Sequence, residues 1–216
     1  MQNLVTSHSS GLAPAQAALL IGPTGSGKTP LGELLEKRGW NSRQCRHFDF
    51  GAHLRKAADP SRAASMGLTS SEISVVLGCL EHGTLLENET FGIAAKILDS
   101  FVSNAINDPE ELLILNGLPR HVSQAKMLVE HVTVHTLLVL ECGADTVHDR
   151  IRLDSGGDRG HRDDDTKNAI QQRLDIYRRR TIPLIEHYQS MGARILRLPV
   201  GVSTSALQLL TDLENK

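Results

Sequence analysis

Residues 22–29 read Gly22-Pro23-Thr24-Gly25-Ser26-Gly27-Lys28-Thr29, directly behind the apolar run Ala17-Ala18-Leu19-Leu20-Ile21. The spacing is G-x-x-x-x-G-K-[ST], a phosphate-binding pattern. A short apolar run reads as a buried strand, and Leu31, Leu34 and Leu35 behind the loop repeat at helical spacing. Strand, glycine loop and helix therefore follow one another. Backbone N–H groups of such a loop converge on a di- or triphosphate, and the helix N-terminus adds the positive end of its dipole. Gly22, Thr24, Gly25, Ser26 and Gly27 are the expected cradle. Lys28 is expected to reach the outer phosphates, and the Thr29 hydroxyl to ligate Mg²⁺ directly. Pro30 fits the first helical turn, which has no N–H bond to lose.

Working outward, strand-like and helix-like stretches alternate. Further strands are expected at Cys45–Phe50, Leu112–Leu115, Thr136–Leu140 and Arg194–Leu198. Thr69-Ser70-Ser71-Glu72 is a capping box that opens a helix carrying Ile73, Val76, Leu77 and Leu80 on one face. Helical patterns also run from about 90 to 104, from 123, from 146 to 153, from 166 and from 203 to 213. Pro183 is expected to bend the helix from 166 or to open a new one. Fully apolar strands separated by helices predict an α/β fold, a parallel sheet covered by helices on both faces. Ligands of such sheets sit at the carboxyl ends of the strands. The chain segments to watch are thus 22–29, 49–55, 116–120 and the loop beyond the fourth strand and its helix.

The bulk properties exclude several classes. With 216 residues and a formal charge of −2, the chain can bury one sizeable core and has no basic excess for nucleic acid or a membrane surface. The three cysteines Cys45, Cys79 and Cys142 are far apart and form no C-x-x-C, which fits a reducing cytoplasm better than disulfides or zinc. The ten histidines are scattered with no metal-binding spacing. Residues 1–16, rich in serine and lacking a signal pattern, are expected to form a flexible tail.

Two further clusters carry chemistry. Arg120 follows Asn116-Gly117-Leu118-Pro119 at the end of the third strand, with Gln124 one helical turn on. A guanidinium can grip a phosphate bidentately and an amide can meet a base edge. With Arg55 behind the second strand, they suggest a second anionic ligand. Arg150, Arg159, Arg162 and Arg173 bracket the polar loop 154–165, as suits a lid that brings positive charge to a transferring phosphoryl group. Arg178-Arg179-Arg180 cannot share one helix face and is read as mostly solvated.

From Ala17 to Asn215 the chain resembles the adenylate kinase family of nucleoside monophosphate kinases. The string Leu113-Ile114-Leu115-Asn116-Gly117-Leu118-Pro119-Arg120 with Gln124 resembles the family's apolar-D-G-F-P-R-x-x-x-Q. Arg162-Asp163-Asp164-Asp165, Gln172-Arg173-Leu174, Tyr177, Thr181 and Pro183 to Tyr188 resemble its R-x-D-D…R-L…Y…T-x-P-L-I-x-x-Y. The resemblance implies a five-stranded core over 17–216 with two insertions. One, about 50–107, closes over the acceptor monophosphate; the other, about 153–165, is a short lid over ATP. It implies reversible phosphoryl transfer from ATP·Mg²⁺ to a nucleoside monophosphate, with AMP the leading acceptor. Lys28, Arg120, Arg162 and Arg173 would be catalytic. Arg150 would hold the ATP side, and Arg55, Arg120 and Gln124 the monophosphate and its base. A cytoplasmic monomer is expected.

The chain departs from the pattern in three places. Phe50-Gly51-Ala52 stands where the family has T-G-D, so Phe50 is expected to stack on a base or to fill the gap. Asn116 replaces the aspartate that orders the Mg²⁺ water shell, so its amide would act through water without charge. That predicts weaker Mg²⁺ or slower turnover, relieved in Asn116→Asp. The family's G-x-L-V-P-D is barely visible in Met66 to Ser71. Two other readings follow: a kinase for another nucleotide (CMP, UMP) or a small molecule, and a nucleotide-binding protein with little transferase activity.

Overall fold

The computed structural model describes residues 14–157 and 166–216. Five parallel strands form one sheet: β1 (Ala15–Ile21), β2 (Cys45–Asp49), β3 (Leu112–Asn116), β4 (Val132–Glu141) and β5 (Arg194–Pro199), in the order β2-β3-β1-β4-β5. The predicted α/β class and all five strands are present. β1 starts two residues inside the expected tail, and residues 1–13 of that tail lie outside the described residues.

The helices are α1 (Lys28–Arg38), α2 (Phe50–Lys56), α3 (Pro60–Ser65), α4 (Ser70–His82), α5 (Phe91–Ala105), α6 (Val122–Leu128), α7 (Ala144–Arg152), α8 (Lys167–Ile176), α9 (Pro183–Ser190) and α10 (Ala206–Glu214). A π-helical turn, Tyr177–Thr181, joins α8 to α9, so Pro183 opens a new helix in its first turn. The capping box is formed: Thr69 Oγ1 accepts from Glu72 N–H, and a Glu72 carboxylate oxygen accepts from Thr69 N–H at 2.8 Å. Helices α2 to α5 all lie in the crossover from β2 to β3.

Strand side chains alternate between two cores, as the period of two requires. Ala17, Leu19, Ile21, Leu113, Leu115, Leu137 and Val139 pack on the face covered by α5 and α9. Ala18, Leu20, Leu112, Ile114, Leu138 and Leu140 pack on the other, against Leu31 and Leu35 of α1 and Leu209, Leu210 and Leu213 of α10. The sheet is thus dry on both faces, and its carboxyl edge is where polar groups can gather. β1 lies between β3 and β4; the crossover from β1 leads to β2 on one side and that from β3 leads to β4 on the other, which makes the carboxyl ends of β1 and β3 a topological switch point. No helix among the described residues is long and apolar enough to cross a membrane.

Candidate active site

The loop 22–27 leaves β1 at that switch point. Gly27 has φ 95°, a left-handed conformation that a side chain would strain, and it turns the chain into α1. Gly22 is excluded from carrying a side chain for another reason: a Cβ there would lie 2.6 Å from Ser26 Oγ and 3.0 Å from Leu140 Cβ. Ser26 is fully buried and its Oγ donates to Pro23 O at 2.9 Å, so its side chain braces the loop from within. Lys28 lies along the loop, its Nζ donating to Gly22 O at 2.8 Å and Pro23 O at 2.7 Å.

One cavity of about 250 Å³ opens in front of this loop. It brings together Gly22, Thr24, Gly25, Gly27, Lys28 and Thr29 from the loop side with Phe50, Arg55, Arg120, Gln124, Asn116 and Arg173 from the other walls. These were all read from the sequence as site residues, and they come from four different segments. Asp49, Leu54, Cys79, Leu80, Leu86 and Tyr177 are among the other lining residues.

The floor is a hydrogen-bonded trio. Thr29 Oγ1 donates to Asp49 Oδ2 at 2.8 Å, and Asn116 Nδ2 donates to Thr29 Oγ1 at 3.0 Å and to Asp49 Oδ2 at 3.1 Å. Asp49 ends β2 and Asn116 ends β3, as direct register partners. Asp49 also caps α2, its Oδ1 accepting from Ala52 N–H at 2.9 Å. The sequence places Asp49 in the segment 49–55 at the ligand edge but assigns it no role. The signal lay in two polar residues closing two neighbouring apolar strands.

The far wall is cationic. Arg120 is half-buried, and none of the described residues accepts a hydrogen bond from its guanidinium. Its burial, and then the neighbouring Arg173 charge, pull its pKa down to about 10, still far above neutral pH. Its backbone is held on both sides: N–H donates to Gln124 Oε1 at 2.8 Å and C=O accepts from Thr181 Oγ1 at 2.9 Å. Arg55 is exposed at the cavity rim.

The model of the adenylate kinase family matches residues 20–193. An adenylate kinase of Synechococcus sp. (strain WH7803) is 30% identical over 205 residues, covering 92% of this chain and 97% of that protein. That of Phocaeicola vulgatus is 32% identical, covering 81% and 85%. Adenylate kinase isoenzyme 1 of Oryctolagus cuniculus is 29% identical over 84% of both chains. This chain belongs to the adenylate kinase family. It is an ATP-dependent phosphotransferase.

Within that family the structure adds to the reading of four residues. Arg150 does not line the cavity. It is 2% exposed and its guanidinium is spent on backbone: Nε donates to Gly25 O at 2.9 Å, and Nη1 to Gly201 O, Val202 O and Thr204 O at 2.8, 3.1 and 2.9 Å. It clamps the glycine loop to the turn between β5 and α10 from behind. Gln124 is also buried, and besides Arg120 N–H it serves Leu86 O, to which Nε2 donates at 2.7 Å. Phe50 begins α2 and does not end β2; it is 6% exposed, packs in the core and fills space at the cavity wall. Arg180, read as solvated, makes a two-point pair with Glu87 at 3.0 and 2.8 Å. Arg159, Arg162 and Asp163 to Asp165 lie outside the described residues, as does most of the expected lid.

Proposed function

We propose that this chain is a nucleoside monophosphate kinase that transfers the γ-phosphoryl group of ATP·Mg²⁺ to AMP. The observation that carries the reading is the meeting of Lys28, Arg55, Arg120 and Arg173 around one cavity at the end of β1. Phosphoryl transfer asks little covalent chemistry of a protein and much fixed positive charge.

The ATP triphosphate lies on the backbone N–H groups of 22–29. Lys28 exchanges its bonds to Gly22 O and Pro23 O for phosphate oxygens and follows the moving group. Arg120 and Arg173 face each other across the space it crosses, and Arg162 joins them from the lid, 153–165. Arg55 and Arg120 hold the acceptor's phosphate under the insertion 50–107. Gln124 still has a second N–H and a second lone pair for a base edge. The relatives named above are adenylate kinases, which favours AMP as the acceptor. Bound Mg²⁺ would supply a dication that neutralises phosphate oxygens. The Thr29 hydroxyl with the Asp49 carboxylate behind it offers oxygen atoms of the kind Mg²⁺ takes together with substrate phosphates, while Asn116 donates its Nδ2–H to both.

The test is a coupled assay for ADP from ATP·Mg²⁺ with AMP, CMP, UMP, GMP and dAMP offered separately. Turnover with AMP well above the others is expected. Preference for a pyrimidine would move the acceptor, and silence with all five beside intact ATP binding would overturn the transferase reading.

A further inference from the structure

The floor of the cavity has an unusual charge pattern for this family. The resemblance places the metal-ordering carboxylate at position 116, where this chain has an amide, and also replaces the aspartate at position 52 by Ala52. The structure nevertheless puts one carboxylate at the same spot, from the neighbouring strand. Asp49 is the register partner of Asn116, and both reach Thr29 Oγ1 within 3.0 Å.

The hydrogen bonds fix what each atom can do. A threonine hydroxyl has one proton and two lone pairs. The proton goes to Asp49 Oδ2 and one lone pair accepts from Asn116 Nδ2. One lone pair remains for a cation. A hydroxyl that ligates Mg²⁺ needs an acceptor for its proton, and an ionised carboxylate is the strongest one a protein offers. The same geometry explains the amide at 116. Asn116 Nδ2 lies 3.1 Å from Asp49 Oδ2, and a carboxylate in its place would set two anions at contact, which do not both ionise. The site therefore carries one negative charge, displaced from the end of β3 to the end of β2. Asp49 is held rigidly there, because its other oxygen caps α2 through Ala52 N–H.

We propose that Asp49 is the positioning residue for the metal in this chain: it aligns the Thr29 hydroxyl and supplies the anionic charge facing the cation's water shell. This rests on reading the glycine loop as a metal–nucleotide site. The test uses the full chain saturated with a non-hydrolysable ATP analogue, with bound Mn²⁺ counted by electron paramagnetic resonance and analogue affinity measured separately in EDTA. Asp49→Asn should weaken Mn²⁺ by roughly 10- to 100-fold while analogue affinity in EDTA holds or rises. The exchange variant Asp49→Asn/Asn116→Asp, which returns the charge to the other strand, should recover most of the loss. Asparagine and serine both cap helices well, so Asp49→Ser offers a second uncharged site if Asp49→Asn does not fold. Unchanged Mn²⁺ affinity in the uncharged variants, or no recovery on exchange, would overturn the role of Asp49 and leave the kinase reading standing. A parent chain that binds no analogue in EDTA would instead bring down the loop reading, and this proposal with it.

Discussion

Arg150 is the residue whose task changed most between sequence and structure, and removing its guanidinium separates the two tasks. In Arg150→Met the volume is roughly kept, but Gly25 O, Gly201 O, Val202 O and Thr204 O lose their donor. A hydrogen bond to a charged group contributes about 1.5–3 kcal/mol. If water reaches two of the four carbonyls and two stay unmet, the loss is about 3–5 kcal/mol. For a domain of this size each kcal/mol moves the midpoint by about 2–4 °C, so a fall of about 6–20 °C is expected. Thermal unfolding and urea titration read this directly, without nucleotide. Arg150→Lys keeps the charge but has donors at one point only, so it should recover a minority of the loss. Nucleotide affinity should fall in Arg150→Met as well, because the loop that holds Gly25 and Gly27 is no longer backed. An unchanged midpoint with a raised KM for ATP alone would refute the argument and return Arg150 to the nucleotide.

Two other perturbations test the packing and the electrostatics away from the site. Gly32→Ala should destabilise by about 1–3 kcal/mol despite alanine's better helix propensity, because a Cβ there would meet the His47 ring at 2.3 Å; His47→Ala should relieve it, and a stabilised single variant by urea titration would sink the idea. His131 Nδ1 lies 2.8 Å from Asp99 Oδ1, and that carboxylate holds the imidazole above its ordinary pKa. The pair's contribution is therefore complete below about pH 6.5, the unfolded histidine value, and is lost as pH rises through the folded one. Asp99 is half exposed, so Asp99→Asn should cost under about 1 kcal/mol near pH 6 and nothing near pH 9; an equal penalty at both would mean the pair is not ionic.

Much of the fold could be read from the sequence because its signals are local. The run 17–21, the glycine loop and the Thr69 capping box each specify their own backbone. The continuous apolar strands announce a sheet covered on both faces. The site was legible where a residue's place follows from its strand, as for Lys28, Thr29 and Arg120. It was not legible where the partner is distant in sequence. Arg150 meets Gly25 across 125 residues, and nothing in its own helix distinguishes a solvent-facing arginine from one turned onto backbone carbonyls. Asp49 gains its meaning from Asn116, 67 residues away. The boundary at Phe50 was misplaced for a local reason: an aromatic residue continues an apolar strand pattern, but the preceding aspartate had already capped a helix.

The arrangement of Arg120 shows how the same fold can serve chemistry at a cost to itself. Burial disfavours Arg120's charge, and the Arg173 guanidinium at the same cavity disfavours it further, yet its pKa of about 10 leaves it protonated at neutral pH. The backbone holds it there: Gln124 takes its N–H, Thr181 gives a proton to its carbonyl, and Gln124 is in turn anchored to Leu86. A residue clamped at both of its peptide groups cannot swing its side chain's root away from a like charge. Burial and the Arg173 charge thus oppose protonation of Arg120, and an anion bound beside it offsets both. Gln124, whatever it offers to a base, thus fixes where Arg120 stands.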